Sequence, residues 1–240
     1  MKGARSPPSV DLPHRAETPP RSSVDPRPAS EAFTCPVTLT GRFVILRPLS
    51  AADVPALARA GAHDEIWTHL MSGPGRTEEE MRRLVTELLE QAARRETLPF
   101  SVQRAPDGPL IGMTRFLNIE RANRAVEIGG TWYDPAYWGT GVNPESKWLL
   151  LRHAFESEGA HRVQLIADVR NHRSQRAIER LGAQREGVLR DHRVRRDGTY
   201  RSSVYYSILA NEWPRVRAAL ERRLEGLSPP AHGARPDSRP

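Results

Sequence analysis

Hydrophobic positions fall into regular runs only between residues 37 and 226. Val37 to Arg47 alternates, with Phe43 and Ile45 against Arg42 and Arg47, and predicts a first strand. Ser50 with Asp53 three residues on marks a helix start, and Val54, Leu57 and Ala58 give that helix a buried face. Ile66, Trp67, Leu70 and Met71 continue as a second helical piece, stopped by Ser72-Gly73-Pro74-Gly75. Thr77 and Glu80 form a capping box before Met81, Leu84, Val85, Leu88, Leu89 and Ala92, which recur at three and four. Pro99–Arg104 and Leu110–Leu117 flank Asp107-Gly108, the signature of a hairpin, and a turn at Arg121-Ala122-Asn123 leads to a strand over Ala125–Tyr133.

The second half changes character. A helix is expected from Pro144 to Glu158, then a short apolar strand from Val163 to Asp168. A helical crossover makes that strand parallel to 125–133. A short helix over Ser174–Leu181 closes at Gly182, strands near 186–195 and 200–209 join through Asp197-Gly198, and Trp213, Val216, Leu220 and Leu224 mark a last helix. The pattern predicts an α/β (α+β) fold. Its sheet is mixed and mostly antiparallel, of six to seven strands, with a central parallel pair and helices on both faces.

Composition sets the domain limits. Residues 1–36 hold eight of the 21 prolines with almost no apolar periodicity, and 227–240 hold four more. Both read as disordered segments flanking one domain over 37–226. No apolar run reaches the roughly 18 residues of a membrane span, and no N-terminal signal core is visible. The single cysteine, Cys35, rules out an internal disulfide and argues against a Cys-based metal site. No metal is expected, and the simplest location is cytoplasmic. The net charge of +7 invites a nucleic-acid reading, but 34 of the 36 basic residues are Arg, a compositional bias more than a designed surface. An anionic cofactor would also profit from it.

One stretch organises the rest. Trp138-Gly139-Thr140-Gly141-Val142-Asn143 sits between a strand and a helix. Gly139 and Gly141 permit backbone shapes a Cβ would block. Asn143 can cap the helix and Pro144 suits its first turn. The first-turn amides of such a helix end bind phosphates. Gly141 is not followed by Lys-Ser/Thr, so the turn is not a P-loop. Pro144 stands where a dinucleotide fingerprint needs its third glycine.

The stretch resembles the acetyl-CoA motif of the GNAT N-acetyltransferases, Gln/Arg-x-x-Gly-x-Gly/Ala, and most of all the ribosomal-protein N-acetyltransferases of the Rim type, where Tyr-Trp-Gly-x-Gly is usual. Asn171-His-Arg-Ser174, Leu181-Gly182-Ala183 and Glu186-Gly187-Val188-Leu189-Arg190 follow in the family's order. The resemblance covers about Thr38 to Leu224. Three positions depart from it: Trp138 replaces Gln or Arg, Asn143 replaces Gly or Ala, and Ile178 stands where many members carry a Tyr general acid.

The resemblance implies acetyl-CoA as co-substrate and an amine acceptor, either a protein N-terminus or a small amine. Gly139, Thr140, Gly141, Val142 and Asn143 would offer amides to the pyrophosphate, and Lys147 a charge. Trp132 and Tyr133 would supply a free strand edge to the pantetheine, with Asn171 opposite. Ser174 would protonate the leaving thiolate, although it equally suits a helix N-cap. Glu127 and His192 are the candidate bases. A non-catalytic acyl-CoA-binding module and a basic nucleic-acid-binding protein are the competing readings. The chain is expected as a monomer or homodimer.

Overall fold

The structure, a computed structural model, describes residues 32–228. The two terminal segments assigned as disordered lie mostly outside that range. Ala32 and Phe33, placed by composition in the first of them, belong to the core: both are buried, and the Phe33 ring packs 4.9 Å from Phe116.

Eight strands form one sheet in the order β1-β2-β3-β4-β5-β6-β8-β7. They are β1 (Leu39–Thr40), β2 (Val44–Pro48), β3 (Leu98–Arg104), β4 (Leu110–Glu120), β5 (Ala125–Tyr133), β6 (Arg162–Asp168), β7 (Gln184–Val194) and β8 (Tyr200–Leu209). The helices are α1 (Val54–Ala60), α2 (Asp64–Trp67), α3 (Glu78–Ala93), α4 (Val142–Arg152), α5 (His172–Glu179) and α6 (Trp213–Glu225). Every pairing is antiparallel except β5 with β6.

The strand expected over 37–47 folds back on itself. Leu39 pairs with Leu46 across a turn at Gly41-Arg42, which supplies the eighth strand. The cause is remote. Glu145, buried in the first turn of α4, takes the amides of Arg42, Phe43 and Val44 on its carboxylate at 2.6–2.9 Å. Charge-assisted bonds of this kind are the strong ones. The same contact ties the start of α4 to the far side of the sheet.

The expected long helix over 144–158 is also divided. Regular α4 ends at Arg152, and His153–Ser157 form a π-helical turn closed by the Glu158 amide on the His153 carbonyl (3.0 Å). The capping box at Ser50 and Asp53 is complete. At Thr77 only half forms, because the Glu80 side chain accepts from the Arg76 amide instead.

The helices divide between the faces. The larger core holds residues of α4, α5 and α6 with Val126, Ile128 and Tyr133 of β5. The smaller holds α1, α2 and α3 with Met113 and Trp132. Helices therefore cover both faces, but those of the second face stop at β5.

Candidate active site

The parallel pair is short. β5 and β6 match at only three positions: Ala125 with Arg162, Val126 with Val163 and Glu127 with Gln164. Beyond Glu127, β5 continues to Tyr133 with β4 on one side and no strand on the other. β6 stays with β8 as far as Asp168. The two strands diverge, and the backbone edge of residues 128–133 faces the gap. Unpaired main-chain groups are costly unless something meets them.

The turn 138–141 stands at the mouth of this gap. Trp138 packs against both cores, and its indole N–H donates to the Tyr133 carbonyl at 3.1 Å. Gly139 takes φ +77° and is exposed, which suits glycine alone. Gly141 has a different reason: a Cβ there would lie 2.5 Å from the Phe43 ring, so its glycine serves packing. α4 begins at Val142 with Gly141 as N-cap, so Asn143 is not the cap. The Thr140 hydroxyl does part of that work, donating to the Tyr137 carbonyl (2.7 Å) and accepting from the Val142 amide (3.3 Å). The amides of Gly139, Thr140, Gly141 and Asn143 meet no acceptor among the described residues. Four open amides at a helix N-terminus fit a phosphate group.

Lys147 is turned inward from that helix end. Its Nζ is buried and donates to Thr131 Oγ1 at 2.6 Å, and Thr131 in turn lies 2.8 Å from Thr114 Oγ1. Burial lowers its pKa to about 7, with the Glu127 carboxylate pulling the other way.

Across the mouth, Asn171 is the N-cap of α5, its Oδ1 accepting from the Ser174 amide at 3.0 Å. Ser174 is therefore not the cap, and its hydroxyl carries no hydrogen bond among the described residues. Between them Arg173 lays its guanidinium on the Trp138 ring, 3.4 Å from the centroid. That stack brings α5 to the Gly-x-Gly turn, so the two motifs flank one opening. Ile178 is buried in the core and offers no acid there.

Glu127 sits where the strands part, on the face away from α4. Asn118 Nδ2 donates to it at 2.6 Å and Gln164 Nε2 at 3.5 Å. Burial raises its pKa, while Asn118, Arg193 and Arg115 oppose the rise. His192 is held in the neighbouring hairpin, with Nδ1 3.3 Å from Ser203 Oγ and Nε2 3.1 Å from the Tyr205 hydroxyl. Both ring nitrogens are thus engaged, and burial lowers its pKa. Trp132 and Tyr133 are buried with their side chains on opposite faces, so only their main chain reaches the gap.

A sheet opened at its parallel pair, with free helix-start amides at the opening, defines the acyltransferase class to which GNAT enzymes belong. The acetyltransferase (GNAT) domain family matches residues 44–184, and the chain is a member of it. It is similar to a Bacillus subtilis (strain 168) protein named ribosomal N-acetyltransferase YdaF, 36% identical over 107 residues, which are 45% of this chain and 57% of that one. A T. thermophilus structure described as an acetyltransferase is 40% identical with a TM-score of 0.72, covering 79% of this chain and 98% of its own. Mycobacterium smegmatis RimJ, solved with CoA-disulfide, shares the fold at TM-score 0.66 and 23% identity, over 78% of this chain and 93% of that one. The protein is an acyltransferase, and one protein it is similar to carries a ribosomal N-acetyltransferase name.

The sequence motifs did not point to Arg173, Thr131, Glu145 or the guanidinium groups of the last hairpin. Only Glu145 left a trace, as an acidic residue in a helix first turn.

Proposed function

We propose that the enzyme transfers an acetyl group from acetyl-CoA to a primary amine by direct attack with both substrates bound. The observation that carries this reading is the gap between β5 and β6, which ends at four open amides. The amides of residues 139–141 and 143 would hold the pyrophosphate. The free edge of residues 128–133 would pair with the pantetheine amides, and Asn171 would face the arm from α5.

Acetyl-CoA supplies an acetyl group already activated as a thioester. The remaining work falls to the chain. Glu127 takes the proton that the amine releases as its new C–N bond forms, directly or through one water, and burial suits its carboxylate to that task. A main-chain N–H near the end of β5 donates to the carbonyl oxygen as charge develops there. The Ser174 hydroxyl relays a proton from solvent to sulfur as the C–S bond breaks, and Glu127 releases the amine's proton to solvent. His192, fixed by Ser203 and Tyr205, shapes the acceptor side. The acceptor is a protein N-terminus or a small amine; a similar protein named a ribosomal N-acetyltransferase favours the former.

Calorimetry with acetyl-CoA, on wild-type protein and Asn143→Asp, tests the reading. A carboxylate at the second helical position favours the helix dipole and repels a phosphate. The variant should fold as well as wild type and bind at least 10-fold more weakly. No binding by folded wild-type protein would remove the assignment. Thiol release with a panel of amines and N-terminal peptides then identifies turnover.

A further inference from the structure

On the face away from α4, helices end at β5, and guanidinium groups from β4, β7 and β8 act on Glu127. Arg193 and Arg201 stand directly opposite each other on β7 and β8. Arg193 acts electrostatically on Glu127, Arg115, His192, Tyr205 and Arg201. Arg201 is only 8% exposed, and its Nε is buried without a hydrogen bond. The nearest carboxylate, Asp168, is already bonded to Arg195 at 2.6 Å and lies 4.0 Å from Arg201. The other carboxylate, Glu127, is bonded to Asn118. The two carboxylates nearest Arg193 and Arg201, Glu127 and Asp168, are thus both engaged.

Like charges opposite each other on paired strands destabilise a sheet. An anion between them reverses the sign, and guanidinium forks match a carboxylate two-pronged. A cavity of about 150 Å³ lies between residues 67–71 and Arg195–Asp197, and Arg195 on its wall shares Asp168 with Arg201.

We propose that the enzyme selects amine acceptors that carry a carboxylate a few bonds from the amine, held by Arg193 and Arg201 while the amine is presented beside Glu127. The selection rests on the transferase reading above. The carboxylate also offsets the repulsion that an approaching ammonium would meet from the same guanidinium groups.

The test compares peptide amides with free N-termini, Ala-Glu-Ala-Ala, Ala-Gln-Ala-Ala and Ala-Lys-Ala-Ala, together with β-alanine against its amide. Thiol release gives kcat/KM for each, and melting temperature is followed alongside. Wild type should favour the acid over its uncharged partner at least 10-fold in one of the two sets, mostly through KM, with the Lys peptide slowest. Arg193→Glu creates an opposite-charge pair with Arg201, so it should fold at least as stably and invert the order of the Glu and Lys peptides. Arg193→Lys should keep the order. Equal rates for acid and amide in both sets, or an unchanged order in Arg193→Glu, overturns the selection while leaving the transferase intact. Folded protein that binds no acetyl-CoA and releases no thiol with any amine overturns both.

Discussion

Lys147 Nζ lies 2.6 Å from Thr131 Oγ1, buried between α4 and β5, where its hydroxyl partner carries no charge. Its pKa falls from an ordinary 10.5 to about 7, chiefly by burial. Below about 7 the folded chain carries a buried ammonium at full cost. Between 7 and 10.5 the unfolded chain holds a proton that the folded chain lacks, so stability rises with pH across this window. Lys147→Met should melt about 3–6 °C higher at pH 7, the shift that ~1–2 kcal/mol gives in a domain of this size. The gain should shrink towards pH 10. Melting curves of both proteins from pH 6 to 10 check this, and parallel curves would contradict it.

Glu127→Gln should lower kcat/KM by about 100-fold or more, the range for loss of a general base. In wild type the acidic limb of the pH–rate profile should fall above the ordinary carboxylate value of 4.5, because burial raises this group. The variant should lose that limb. Unchanged rates would assign proton removal to solvent.

Ser174→Ala should reduce kcat by about 10- to 100-fold and leave acetyl-CoA affinity within two-fold, as expected for a proton donor acting late in the reaction. Asn171→Ala should act differently, because it removes the α5 cap and a wall of the opening together. It should weaken acetyl-CoA binding and destabilise the protein by ~1 kcal/mol. Paired calorimetry and steady-state kinetics separate the two.

Glu145→Gln should destabilise the fold by about 2–4 kcal/mol, since one amide oxygen cannot replace a carboxylate that takes three N–H groups. Denaturant unfolding measures the loss. A change below about 0.5 kcal/mol would show that water substitutes for the carboxylate at the 42–44 turn.

Periodicity located the strands and helices of this fold well, because each depends on its own neighbours. β6 and the α5 region emerged within a few residues from apolar runs and a glycine stop. The errors have distant causes. The β1–β2 turn depends on Glu145, about a hundred residues further on, and no window of local sequence contains both. Asn143 and Ser174 looked like caps by residue type, yet both helices begin two residues earlier than expected. Gly141 and Asn171 are the N-caps instead, with the Thr140 hydroxyl taking the Val142 amide. Lys147 read as a charge offered to the pyrophosphate from the helix start, and only packing turned it inward. Arg193 and Arg201 were lost among 36 basic residues, and strand register alone sets them face to face.

The three-position pairing of β5 with β6 has a consequence for how this protein can diverge. A sheet that lacks part of one strand presents backbone, and backbone is the same whatever side chain it bears. A donor gripped through such an edge is recognised by a surface that substitution hardly alters. The vocabulary of side chains is left free for the opposite face, where the acceptor selection proposed above would act.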